Sequence, residues 1–177
     1  LNHEYLFQII PKLANIGINV FRIKLKHLSK VFYGGNRYAS INFDKSIKNF
    51  VLDLKKLVPV LKDFNSVAVI ENHQDLYSIE LRNIIESISA EHLGINWDIG
   101  NSYSVCDTPE SFFKNCAHLI KNIHIKDYHI SKSDNGIFLT RCPIGYGSVD
   151  LKNIFKKIES LGDQVVNQSI ELGAQIS

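Results

Sequence analysis

Apolar and polar positions along the chain fall into strand-length and helix-length patterns that alternate. Ile18 to Leu25 sets Val20, Arg22 and Lys24 against Phe21, Ile23 and Leu25, a period of two that predicts a strand. After a polar loop holding Gly34 and Gly35, the stretch from Asp44 to Phe64 carries Ile47, Phe50, Val51, Leu54, Leu57, Val58 and Leu61 at helical spacing and predicts a long amphipathic helix. A strand from Val67 to Glu71 precedes a helix from Ser78, a candidate N-cap, to Ser89, with Leu81, Ile84, Ile85 and Ile88 on one face. Strand Leu93 to Asp98 leads to Thr108-Pro109-Glu110, where a cap residue followed by proline opens a helix that runs to about Ile120. Strand Asn122 to Lys126 is followed by a polar stretch from Tyr128 to Gly147, too long for a simple connection and a candidate lid or substrate loop. Asp150 caps a last helix to about Leu161, Gly162 ends it, and Val165 to Leu172 is the final strand.

Strands alternating with helices imply βα units and a parallel sheet. Five strands are three short of a closed barrel, and 177 residues fall short of the ~250 that such a barrel takes. The expected fold is α/β, an incomplete (β/α)8 TIM barrel whose N-terminal strands are missing, with residues 1–177 as a single domain forming its C-terminal part. An open doubly wound sheet would explain the length but not the polar strand ends, and no G-x-G-x-x-G follows a strand. The chain opens on Leu1 and contains no Met, which suggests a fragment of a longer protein.

A strand covered on both faces should read as a nearly continuous apolar run. Four segments instead end in a side chain that binds divalent metals: Val67 to His73 with Glu71, Gly94 to Asn101 with Asp98, Lys121 to Asp127 with His124, and Asn167 to Leu172 with Glu171. Because successive side chains on a strand point to opposite faces, Glu71 and His73 oppose Ile70, and Asn96 and Asp98 oppose Ile95 and Trp97. Likewise His124 and Lys126 oppose Ile123 and Ile125, and Ser169 and Glu171 oppose Ile170 and Leu172. Any one of these polar residues would be unremarked as a helix cap or turn residue. Four in chain order, each at a strand end, predict convergence on the mouth of a barrel, where the βα loops build the site.

Two glutamates, an aspartate and a histidine make an oxygen-rich set suited to Mn²⁺, Mg²⁺, Co²⁺ or Zn²⁺. An ion with open positions would chelate the adjacent carbonyl and hydroxyl oxygens of a sugar and stabilise an enediolate as a Lewis acid. Glu71 and Glu171, flanking the substrate, would remove a proton α to the carbonyl and return it elsewhere. Around them, His73 is a candidate for substrate, a second metal or a supporting hydrogen bond. Lys126 and Arg141 are candidates for an anionic group, and the amides of Gly145 and Gly147 for an anion or a plain turn. Trp97, facing away from Asp98, is expected in the core; His92, His118 and His129 are expected to be structural or exposed.

With 45% hydrophobic residues the chain can bury a core, and a net charge of +2 with interspersed signs gives nucleic-acid binding little support. The odd number of cysteines, Cys106, Cys116 and Cys142, with no C-x-x-C pair, reads as free thiols in a reducing compartment. No apolar run reaches the ~20 residues of a membrane span and no signal peptide is recognisable, so the expected location is the cytoplasm.

From Gly17 to Glu171 the chain resembles the xylose-isomerase-like sugar phosphate isomerases and epimerases. The resemblance rests on Ile-Glu-Asn-His at Ile70 to His73, Asn-Trp-Asp-Ile-Gly-Asn at Asn96 to Asn101, His-Ile-Lys-Asp at His124 to Asp127, Pro-Ile-Gly-Tyr-Gly at Pro143 to Gly147 and Ser-Ile-Glu at Ser169 to Glu171. It implies a TIM barrel, a divalent metal held by Glu71, Asp98, His124 and Glu171, and Glu71 and Glu171 doubling as the acid/base pair. Asn101 stands where some members of the family place a substrate-binding histidine, and Arg141 is the downstream candidate for the family's arginine. Substrate contacts are thus expected from His73, Asn101, Lys126 and Arg141, with a small-molecule sugar as partner, neither nucleic acid nor membrane, and a homo-oligomer left open. The competing readings are a dehydratase or an endonuclease IV-type phosphodiesterase on the same fold, the latter disfavoured because most histidines lie off the strand ends. A third is an inactive remnant, or half of a site completed by a partner, with an exposed edge at its first strand.

Overall fold

The computed structural model describes residues 3–25, 42–73, 75–89, 91–134 and 136–171. Five parallel strands build one sheet: β1 (Val20–Ile23), β2 (Val67–Glu71), β3 (Leu93–Asp98), β4 (Ile120–Ile125) and a last strand, β7 (Asn167–Ile170), in that order across the sheet. The sheet curls into a half-barrel, an incomplete TIM barrel. The helices are α1 (His3–Ala14), α2 (Phe43–Asp63), α3 (Ser78–Glu86), α4 (Pro109–Cys116) and α5 (Leu151–Glu159).

Side-chain periodicity explains how helices and sheet meet. In α2 the buried positions Phe43, Phe50, Leu54, Leu57 and Leu61 recur every three, four or seven residues and form one stripe. They join Ile70, Ile95, Trp97 and Ile123 from the outward face of the sheet in a single apolar layer, together with Leu81 and Ile85 of α3 and Ile154 and Ile158 of α5. Trp97 lies in this layer as expected, fully buried and stacked on Phe112 with ring centroids 6.0 Å apart. The concave face is polar: Glu71, Asn96, Asp98, Asn122 and Lys126 are all buried there.

One irregularity sets the parity of β4. Ile95 pairs with Ile120 but Asn96 pairs with Asn122, so Lys121 is an extra residue. This bulge lets both Ile120 and Ile123 enter the apolar layer while Asn122 and His124 share the face of Asn96 and Asp98.

Several boundaries differ from the sequence reading. Helix α1 was not anticipated; Leu6, Ile10 and Leu13 have helical spacing, but Pro11 inside the helix interrupts the signal. Ser78 is the first residue of α3, not its cap: Tyr77 holds the cap position, its N–H donating to Glu80 at 2.9 Å. The Ser78 hydroxyl instead accepts from Asn115 Nδ2 at 2.9 Å, tying α3 to α4. Thr108 does cap α4, accepting the N–H of Ser111 at 3.1 Å; the α-helix ends at Cys116 and a 3₁₀ turn, Ala117–Leu119, continues it close to the expected end near Ile120. Asp150 caps α5 through the N–H of Asn153, and Gly162 opens a short 3₁₀ turn beyond the helix end. The stretch expected as a loop is not one: β5 (Asp127–Ser133) and β6 (Gly136–Cys142) pair as an antiparallel hairpin. Gly34, Gly35 and Leu172 lie outside the described residues. Among those described, no helix is long and apolar enough to cross a membrane.

Gly100 shows how closely the hairpin packs on the sheet. A Cβ at Gly100 would lie 2.6 Å from the Tyr128 ring. Gly100→Ala is therefore expected to force Tyr128 aside and cost about 1–3 kcal/mol, read as a lowered midpoint in urea unfolding with little change in slope. An unchanged midpoint would show that the ring yields without cost.

Candidate metal and active site

The C-terminal strand ends deliver their polar residues to one place. Ligand atoms of Glu71, Asp98, His124 and Glu171 all lie within 4.8 Å of one another. Strand register accounts for this: Glu71 pairs with Asn96, Asp98 with His124 and His124 with Ser169, so Asp98 and Glu171 each stand two residues beyond their neighbour's partner, following the stagger of a barrel.

Asp98, at the end of the central strand, is fixed from several sides. The side chain of Asn72 reaches across from β2, accepting the Asp98 N–H at 2.7 Å and donating to its carbonyl at 2.9 Å. Asn101 donates to Asp98 Oδ2 at 2.6 Å, and the buried hydroxyl of Tyr128 lies 3.2 Å from Asn101 Oδ1, donating to it. Lys126, only 6% exposed, places Nζ 2.6 Å from Asp98 Oδ2 and 2.7 Å from Glu171 Oε2. Glu71 is paired through Oε2 with the guanidinium of Arg22 on β1. His124 Nδ1 lies 3.4 Å from Glu171 Oε2 and 3.3 Å from the Asn96 amide, whose oxygen is held in turn by Asn122.

These contacts leave a consistent remainder. Glu71 Oε1 and Asp98 Oδ1 are buried without a hydrogen-bond partner, while the other oxygen of each carboxyl group is tied down. A buried carboxylate oxygen with no donor is costly. A divalent cation is the partner that this set of three carboxylates and one imidazole fits.

The electrostatics point the same way. Burial pushes the Asp98 carboxyl up to about 8, against the opposing charge of Lys126. Burial acts upward on Glu171 too, but the hydrogen bond and charge of Lys126 outweigh it and bring that carboxyl down to about 2. Burial thus disfavours the charged form of Asp98, while Lys126 favours the charged form of Glu171.

Other candidates fall into two groups. Lys126 and Asn101 are in the site, both bonded to Asp98. His73 lies beside it, with Nε2 3.5 Å from Lys24 Nζ. Arg141 is on β6, opposite Tyr128 in the hairpin and hydrogen-bonded to that side chain. The Gly145 and Gly147 amides do meet an anion, but it is the chain's own: both donate to Asp127 Oδ2, at 3.0 and 2.9 Å. His92 accompanies Ser66 at the opposite end of the sheet and His118 pairs with Glu86 on the surface, consistent with structural or exposed roles. Sequence reasoning missed Arg22 and Asn72. Arg22 was visible on the polar face of its strand, whereas nothing in the alternation marks a side chain that clamps a neighbouring backbone.

Residues 10–172 match the family described as xylose isomerase-like TIM barrel. Two curated relatives are similar over part of the chain. The uncharacterized protein YihM of Escherichia coli is 29% identical over 63% of the chain and 34% of its own length. The 3-oxo-isoapionate decarboxylase of Pectobacterium atrosepticum is 22% identical over 67% of the chain and 43% of its own. The chain thus spans less than half the length of either. Among solved structures, a xylose isomerase-like TIM barrel protein from Mycobacterium smegmatis in complex with magnesium superposes with a TM-score of 0.72 at 14% identity, covering 98% of the chain and 61% of that protein. The 3-keto-D-glucoside 4-epimerase YcjR from E. coli superposes at 0.70 with 16% identity, covering 98% and 65%. The fold, the strand-end residues and the family match agree, and the chain belongs to the xylose isomerase-like TIM barrel family.

Proposed function

We propose that this chain carries the metal centre of a sugar or sugar phosphate isomerase or epimerase, within a single barrel domain. The observation that supports it most is the cluster of Glu71, Asp98, His124 and Glu171, with one oxygen of Glu71 and one of Asp98 buried and unbonded. When bound, a divalent ion supplies Lewis-acid polarisation of the carbonyl and hydroxyl oxygens of the substrate. The protein's own residues do the rest. Glu71 and Glu171 take a proton from the carbon α to the carbonyl and return it, the two approaching from different strands. Arg22 and Lys126 hold those carboxylates in place, and Asn101 fixes Asp98. The free cysteines Cys106, Cys116 and Cys142 support a reducing compartment such as the cytoplasm.

The test is the metal content of purified, desalted protein after incubation with Mn²⁺, Co²⁺ and Zn²⁺, followed by exchange of substrate hydrogen in D₂O across a panel of ketoses. About one ion per chain is expected, lost in Asp98→Ala. No retained ion, or retention unaffected by that substitution, would remove the proposed centre. Binding should also release a proton. Because the Asp98 carboxyl lies at about 8 before the ion arrives, metal affinity is expected to rise with pH up to that value and flatten above it. Calorimetry at pH 7 in buffers of different ionisation enthalpy reads the released proton directly, and a heat independent of buffer would contradict it. The decarboxylase relative favours a second reading, carbon–carbon cleavage at the same centre. Exchange without loss of carbon separates the two.

A further inference from the structure

Among the described residues, the mouth of the half-barrel carries more positive charge than the proposed metal centre requires. Glu71, Asp98 and Glu171 bring three negative charges when ionised, and Arg22 and Lys126, paired directly with them, bring two positive ones. A divalent ion held by this set would leave an excess of one positive charge. Lys24, two residues after Arg22, adds a second: its Nζ is 3.5 Å from His73 Nε2, beside the Glu71 strand end. The nearby carboxyl of Asp75 offsets part of this excess, but burial pushes it up to about 7, so it is largely neutral below that pH. One nitrogen of the Arg22 guanidinium holds Glu71, which leaves further N–H donors of the group to bind a second anion.

We infer that the substrate of this site is an anionic carbohydrate, whose carboxylate or phosphate is received by Arg22 and Lys24 at the mouth while its carbonyl end faces Glu71 and Glu171. The inference rests on the metal-centre reading above and narrows it, setting uncharged sugars aside. Arg22 presents a planar fork that matches a carboxylate bidentately, and Lys24 is a point charge that serves either anion. The excess of charge also raises the local concentration of an anionic substrate and makes its capture sensitive to salt.

The test is calorimetric binding to the full chain, with and without Mn²⁺, of three four-carbon probes: D-erythronate, erythritol 4-phosphate and uncharged erythritol. At least one anion is expected to bind ~10-fold or more tightly than erythritol, with the advantage reduced without Mn²⁺. Whichever anion binds better identifies the carboxylate or the phosphate as the natural group. In Lys24→Gln the advantage should fall by about the same factor with the metal content unchanged, since among the described residues the polar partner of Lys24 is His73 and not one of the four clustered residues. Equal binding of erythritol and both anions overturns the inference, as does an advantage that survives Lys24→Gln. Failure of the isomerase reading shows separately, as absent hydrogen exchange in D₂O with anion binding intact.

Discussion

Replacing Glu71 or Glu171 by glutamine is expected to abolish hydrogen exchange at the substrate carbon, by about 10²–10⁴-fold for each, while leaving the fold intact. The substitution keeps the shape and removes the base. Its structural cost differs little from zero for physical reasons visible at each position. Glu71 is buried, but its partner Arg22 is half-exposed and turns to water when the carboxylate is gone. Glu171 is 44% exposed at its side chain, and Lys126 retains Asp98 as a partner when it is neutralised. Both residues also belong to the proposed metal set, so the exchange is to be measured at saturating Mn²⁺. Loss of exchange with the ion still bound assigns the effect to proton transfer. Retained exchange in either variant would sink the two-glutamate mechanism, leaving that residue as a ligand or a bystander.

The sequence carried the fold through its two periodicities. The alternation at Ile18 to Leu25 and the helical stripe from Phe50 to Leu61 each appear in the structure within a few residues of the predicted bounds. Strands Val67–Glu71 and Leu93–Asp98 have the predicted ends. These signals are strong because burial on one face forces apolar residues into register with the backbone repeat. The convergence of Glu71, Asp98, His124 and Glu171 was legible for a related reason: one polar side chain at a strand end can be a cap, but four at successive strand ends have few alternatives to a shared site. The hairpin of β5 and β6 was not legible. Its strands are largely solvent-exposed, with Ile137 and Phe138 more than half-exposed, so no alternation separates its faces. The supporting contacts were hidden more deeply. Asn72 acts on the backbone of Asp98, and Arg22 reaches Glu71 across 49 residues of chain, relations that depend on register and not on local pattern.

Asp127 is the residue on which the hairpin depends, and its removal should produce the largest loss of stability of any single substitution considered. It is the first residue of β5, two positions after the end of β4, and is 1% exposed. Its carboxylate accepts four backbone N–H groups: Tyr128 at 2.9 Å and Val149 at 3.3 Å on Oδ1, Gly145 at 3.0 Å and Gly147 at 2.9 Å on Oδ2. One side chain therefore joins the start of β5 to the segment that leads into α5. A Cβ at Gly147 would collide with this carboxylate, which is why the close approach needs glycine there. Hydrogen bonds to a charged acceptor contribute about 1.5–3 kcal/mol each and overlap when they share one group, so Asp127→Ala is expected to cost about 4 kcal/mol, or roughly 10 °C in Tm for a chain of this size. Asp127→Asn should fare little better, because its NH₂ would face one pair of N–H donors. Gly147→Ala should reproduce the loss from the other side of the contact. The damage should also reach the site. Tyr128, the next residue, supports Asn101 and through it Asp98, so the ion should be held more weakly in all three variants. Hydrogen exchange of the backbone amides gives the decisive reading: protection lost across 127–149 with β2 and β3 still protected assigns Asp127 to the hairpin, whereas unchanged protection there would show that the four bonds are dispensable.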